Sequence, residues 1–153
     1  MQMNIKNVLN VPGISQDFSF CVPEERLEQV HGYHFASPVK VEGRIENRAG
    51  VVTLIMHIAF SLLVICDRCL KETLRDFVFE QTHTVVRELH SENDADDYIT
   101  ARAESIDTAE IAVSDLLLAL PYKMLCREDC KGLCSVCGCD RNETECNCMQ
   151  NHD

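Results

Sequence analysis

Basic charge is scarce in this 153-residue chain, where fourteen Lys and Arg stand against twenty-five Asp and Glu for a formal net charge of −11. A surface so acidic has no general attraction for a phosphate backbone, which points toward basic proteins rather than nucleic acid as partners. Long apolar runs are missing as well. The most apolar stretch, Val51 to Cys66, falls short of the roughly 20 residues a membrane helix needs and is interrupted by Thr53, His57 and Ser61. No membrane span is expected. The opening MQMNIKNVLNVPG has no basic n-region, apolar h-region or small-residue cleavage site, so the sequence predicts a reducing, cytoplasmic setting without disulfides. Gly132 and Gly138 fall between cysteines, where they allow tight turns, and do not form a phosphate-binding loop.

What the chain has in excess is cysteine, ten in all. In a reducing compartment, thiols spaced as Cys-x2-Cys are metal ligands more often than bridges. Four pairs stand out: Cys66 with Cys69, Cys126 with Cys130, Cys134 with Cys137, and Cys146 with Cys148. Zinc takes a tetrahedron of soft donors, and a close pair lets one turn supply two of them. The spacing therefore predicts one or two structural zinc ions. One partition puts Cys66, Cys69, Cys126 and Cys130 on a first ion and Cys134, Cys137, Cys146 and Cys148 on a second, leaving Cys139 and Cys21 over. Another joins Cys66 and Cys69 to Cys134 and Cys137 and leaves Cys126 and Cys130 with the terminal pair. Spacing alone keeps both open. Eight thiolates would fill two ions and leave no position for water or substrate, so a stapling role is expected and the chain reads as non-catalytic.

Other uses of the cysteines fit less well. A redox pair at Cys66-Asp67-Arg68-Cys69 would want a strand feeding a helix in a βαβ unit, a pattern not visible here. The crowded spacing of a ferredoxin cluster is lacking too. The six histidines, His31, His34, His57, His83, His90 and His152, are scattered and read as structural.

With 46% hydrophobic and 25% charged residues, the length suits one core. Val39, Val41 and Ile45 alternate with polar neighbours, the Asn47–Gly50 stretch supplies turn chemistry, and VVTLIMHIAF follows, which predicts a hairpin. Phe77, Phe79 and Val85 belong to a further strand, so Cys66 and Cys69 sit at a strand-to-strand turn. The first 22 residues add one or two strands, and Glu24 to Val30 is a candidate short helix. Residues 88 to 115 hold nine acids and one base, with SENDADDY at 91 to 98 read as a solvated acidic loop. Asp107 followed by Glu110 resembles a capping box, Ile111, Val113, Leu117 and Leu118 make an apolar face, and Pro121 blocks continuation. A helix over about 107–120 is expected to cover the sheet. The fold class is thus α+β, a mostly antiparallel sheet with a packing helix. A core domain over 1–120 is followed by a cysteine-rich, zinc-binding segment over 121–153 packed on it.

The string LALPYKMLCREDCKGLCSVCG at 118–138, with ICDRCL at 65–70 and Asn142, resembles the YceD family, described as large ribosomal RNA subunit accumulation proteins. The resemblance implies a bacterial or plastid factor supporting accumulation of large-subunit ribosomal RNA and ribosome assembly. Some members lack the terminal cysteines while keeping counterparts of the first two pairs, which favours Cys66 and Cys69 with Cys126 and Cys130. Here Cys139 is an extra cysteine inside the motif, placed to displace a neighbour as ligand in the second site. Combined with the net charge, the resemblance implies a protein partner, a ribosome assembly factor or a basic large-subunit ribosomal protein, met by the 88–115 acidic block. The alternative is a zinc-binding RNA-contact module presenting Lys123, Arg127, Lys131 and Arg141, a direct contact that the net charge disfavours.

Overall fold

A two-residue alternation of apolar and polar side chains runs through the middle of the sequence, and in the computed structural model it builds one sheet. The structure describes residues 1–28, 30–89, 98–146 and 148. These form β1 (Gln2–Asn4), α1 (Lys6–Asn10), β2 (Ser15–Cys21), α2 (Glu24–Leu27), β3 (His34–Phe35), β4 (Lys40–Arg48), β5 (Val51–Ile65), β6 (Glu72–Val86), β7 (Tyr98–Thr100), β8 (Ser105–Asp107) and α3 (Thr108–Ala119). The main sheet runs β2-β4-β5-β6-β7, with β3 also paired to β5, and β1 pairs with β8 in a two-stranded sheet. Every pairing is antiparallel except β6 with β7. The fold is α+β and mostly antiparallel, as the sequence predicts.

β5 organises the core. Its inward positions, Val52, Leu54, Met56, Ile58, Phe60, Leu62 and Val64, are all buried. Branched and aromatic side chains at every second position suit a pleated strand with one covered face. β4 meets β5 only as far as Ala59, whereas β6 follows it to Ile65. The β5–β6 hairpin therefore reaches beyond β4 and carries the Cys66–Cys69 turn at its tip. Phe35, Phe60, Phe77 and Phe79 pack together on this outer part, with neighbouring ring centroids 5.5–6.1 Å apart. At the opposite turn, buried Asn47 donates to the Val8 carbonyl at 2.7 Å and accepts from the Gly50 amide at 2.9 Å. That ties the hairpin to α1, an element the sequence reading did not anticipate.

Helix α3 starts where the capping pattern puts it. Asp107 accepts from the Ala109 and Glu110 amides at 3.1 and 3.2 Å. The buried face differs from the expected one. Ala109, Ala112, Val113 and Leu116 face the core, while Leu117 and Leu118 stand 45% and 82% exposed. Small residues at helical spacing let the helix approach the sheet closely, and in that rotation buried Asp115 meets His83 Nε2 at 2.9 Å. Two large leucines on the sheet side would give up that approach. The acidic stretch 91–98 lies outside the described residues apart from Tyr98, which begins β7 rather than ending a loop. Among the described residues no helix is long and apolar enough to cross a membrane.

Burial acts to raise the Asp107 carboxyl, but the Met1 ammonium, the Glu110 amide and the Arg26 guanidinium outweigh it and hold the pKa below the usual carboxylate range. A depressed folded pKa contributes stability that is present above the unfolded value of about 3.9 and lost as pH falls through the folded one. Asp107→Ala is expected to lower unfolding free energy at neutral pH by about 1–2 kcal/mol. In urea titrations the gap between wild type and variant should close below about pH 3.9; a gap independent of pH would rule out the charged cap.

Candidate metal centres

Two loops of the chain fold alike. At the tip of the β5–β6 hairpin, the Cys66 amide donates to the Lys71 carbonyl and the Leu70 amide to the Cys66 carbonyl, each at 2.9 Å. In the C-terminal segment, the Cys134 amide donates to the Cys139 carbonyl at 2.8 Å and the Gly138 amide to the Cys134 carbonyl at 2.9 Å. The residue after the second cysteine is left-handed in both, Leu70 at φ 59° and Gly138 at φ 73°. Each loop thereby turns backbone amides toward its first sulfur: those of Arg68 and Cys69 toward Cys66, and those of Val136 and Cys137 toward Cys134. Amides aimed at a sulfur favour its thiolate.

The hairpin sulfurs meet a second pair from far along the chain. Cys66, Cys69, Cys126 and Cys130 have all their sulfurs within 4.8 Å of one another, with Cys66 to Cys130 at 3.7 Å and Cys69 to Cys126 at 3.6 Å. These separations are far too long for a disulfide of about 2.05 Å. They match the edge of about 3.8 Å expected for four thiolates about 2.3 Å from one zinc. Burial acts to raise the Cys66 thiol, yet the amides of Cys126, Cys69 and Arg68 bring it down to about 6. Burial and the neighbouring sulfurs push Cys126 up to about 12. A thiolate here thus suppresses ionisation of its neighbour, and a bound dication would remove that conflict by letting all four ionise.

A second group joins Cys134, Cys137, Cys139 and Cys146, again with sulfurs within 4.8 Å. Cys137 and Cys134 lie 3.5 and 3.4 Å from Cys146. The sequence-based set had Cys148 in place of Cys139. The Cys148 thiol is not one of these four but borders the Cys146 and Cys137 sulfurs, and its amide lies 3.4 Å from Cys146 Sγ. Backbone and side-chain donation from Cys139 leads the shift of Cys137 down to about 6, while the Cys137 and Cys146 sulfurs push Cys139 and Cys148 up to about 12. The partition of Cys66 and Cys69 with Cys134 and Cys137 is not the grouping found. Cys21, exposed at the end of β2, joins neither group, and no described histidine does. His90 and His152 lie outside the described residues.

Side chains that the cysteine spacing did not single out lock the two groups together. Asn142 donates to Cys130 Sγ at 3.4 Å and accepts from the Lys131 amide at 2.8 Å and from Arg127 at 2.9 Å. Arg68 donates to the Cys130 carbonyl at 2.7 Å, and its own carbonyl accepts from the Leu133 amide at 3.0 Å. Asp67 accepts from the Met124 amide at 2.7 Å, Arg75 donates to the Leu125 carbonyl at 3.0 Å, and Lys71 pairs with Glu143. Gly132 lies against this seam at φ 71°, where a Cβ would come within 2.9 Å of the Arg68 carbonyl oxygen. Of the basic residues expected at an RNA contact, Arg127 has its side chain in this region and Arg141 contributes its backbone. Arg127 pairs with Asp129 and Asn142, and the Arg141 amide bonds the Gly132 carbonyl.

The family model described as large ribosomal RNA subunit accumulation protein YceD matches residues 54–153, from within β5 through both sulfur groups. No curated protein and no solved structure matches the chain.

The two partitions of the terminal thiols separate by metal counting. Cys139→Ser is expected to reduce the metal bound per chain from two ions to one, whereas Cys148→Ser keeps both, read by native mass spectrometry at neutral pH. The opposite pattern would place Cys148 in the site.

Proposed function

The chain belongs to the YceD family of large ribosomal RNA subunit accumulation proteins, and from that premise we propose a non-catalytic factor in ribosome assembly. It acts in the cytoplasm, mainly through a protein partner, with a structural zinc ion in each sulfur group. The observation that carries the reading is the extent of the family match. The matched residues include most of β5, all of β6 and α3, and the thiols of both groups. Zinc is favoured by all-sulfur donor sets of four, with spacings near a tetrahedral edge. Filled sites of this kind leave no open coordination position, which supports a stapling role over a Lewis-acid one.

The charge supports a protein partner. Eight thiolates with two dications would take the formal −11 to about −15, weakening further any general pull toward RNA. A basic large-subunit ribosomal protein or an assembly factor is the complementary partner. In the direct-RNA alternative, affinity would come from Lys123, Arg127, Lys131 and Arg141 and would fall steeply with salt.

Depletion of the protein is expected to reduce free large subunits in a sucrose-gradient profile and to leave large-subunit precursor RNA unprocessed or degraded. Wild type should restore the profile and Cys66→Ser should not, because the tip of the hairpin would lose its anchor. An unchanged profile after depletion would overturn the assembly role. Full rescue by Cys66→Ser would remove the metal from it.

A further inference from the structure

β6 is bonded to β5 along nearly its whole length, from Glu72 to Val85, but on its other side β7 meets it only at Thr84–Val86. Among the described residues no backbone hydrogen bond reaches the remaining edge, from Glu72 to His83. The inward side chains agree with an open edge: Phe60 of β5 is 4% exposed, whereas Phe77 and Phe79 beside it on β6 are only partly buried. A row of unpaired amides and carbonyls is a template for another strand.

The solvent face of that edge has a definite pattern. Glu72, Leu74, Asp76, Val78 and Glu80 all point outward and are exposed, Leu74 and Val78 by 58% and 74%. Acids and apolar residues therefore alternate every second outward position, with carboxylates about 13 Å apart at about 3.3 Å per residue. Leu63 lies directly across from Leu74, and Ile65 across from Glu72, widening the apolar strip over β5. No basic side chain stands among these outward positions of β6, since Arg75 points inward to the Leu125 carbonyl.

We infer that the Glu72–His83 edge of β6 is a docking site for an extended basic segment of a partner protein, which adds a strand to the sheet. The segment reads basic-x-apolar-x-basic-x-apolar-x-basic, placing cations against Glu72, Asp76 and Glu80 and apolar side chains against Leu74 and Val78. This rests on the protein-partner reading and gives that partner a chemistry. Charge selects the occupant. A phosphate backbone meets three carboxylates. A second copy, paired in the antiparallel register that sets Leu74 against Val78, would face Asp76 with Asp76 and Glu72 with Glu80, like charges directly opposite.

The test uses the full, metal-loaded chain and the peptide Lys-Thr-Val-Thr-Lys-Thr-Val-Thr-Lys, with binding read by fluorescence anisotropy and hydrogen exchange. The peptide should slow amide exchange within 72–83, and Glu72→Gln with Glu80→Gln should weaken it about tenfold. Asp76 stays intact in this variant because it accepts from the Ser61 hydroxyl at 2.6 Å. Two N-methylated versions, one on each alternate set of residues, separate strand addition from simple charge attraction. A peptide strand turns one alternate set of amides to the edge, so only one version should lose binding. Equal behaviour of the two versions, no slowing within 72–83, or slowing by raised protein concentration alone would each overturn the inference, the last in favour of a second copy. In depleted cells, full restoration of large subunits by the Gln variant would remove this edge from assembly while leaving the assembly role standing. A depletion that leaves the profile unchanged would strike the assembly role and not the peptide result.

Discussion

A slip of one residue in β5 would turn Val52, Leu54, Met56, Ile58, Phe60, Leu62 and Val64 out into water and bring Thr53, His57 and Ser61 into the core. Each buried side chain of this size contributes about 1.5–3 kcal/mol relative to exposure. Seven together rival the whole stability of a domain, about 5–15 kcal/mol. β4 and β6 take their registers from this strand, and the long reach of β6 follows from it. The position of Cys66 is therefore set by core burial through Val64, and any metal chemistry at the hairpin tip inherits that constraint.

The two sulfur groups draw on different supports. The first is anchored by a rigid hairpin on one side and closes on thiols about sixty residues away, with Cys66, Cys69 and Cys130 buried. The second is built within one short segment and has exposed Cys137. Asn142 and Gly132 join them, because the segment that holds Cys130 toward the hairpin is also the approach to Cys134. Such a seam transmits disorder in one group to the other more readily than two separate knuckles would.

What could be read in the sequence was what is local. The turn after Asn47, the alternation through β5, the cap at Asp107 and the close cysteine pairs are each settled within a few residues. The inward face of α3 was not legible, since the pairing of Asp115 with His83 and the fit of Ala109 and Ala112 to the sheet depend on strands far away in the chain. Cys139 falls outside the pair pattern, and in the sequence it reads as an extra cysteine placed to displace a neighbour as ligand. Its sulfur is brought in by the knuckle itself, whose closing carbonyl belongs to Cys139 in one loop and to Lys71 in the other. A backbone motif repeated at both loops was the signal available, and it lies in hydrogen bonds rather than in residue types.

An acidic chain among ribosomal components poses an electrostatic problem that its distribution of charge resolves on the proposed reading. Repulsion from RNA acts over about 8 Å at physiological ionic strength, so on that reading a net charge of −11 would disfavour approach of the body of the protein to a phosphate surface without preventing contact with a protruding segment. Basic extended segments are the part of an RNA-binding protein that is least ordered before RNA arrives, and also the part that a bare sheet edge can hold. Carboxylates on the outward face of β6 discourage the edge from pairing in register with its own copies and favour cations in the same step. Backbone bonds would supply affinity that tolerates varied side chains, while the charge alternation would supply the preference. A partner held this way can be released by competing phosphate, because RNA offers its basic residues denser negative charge than three carboxylates about 13 Å apart.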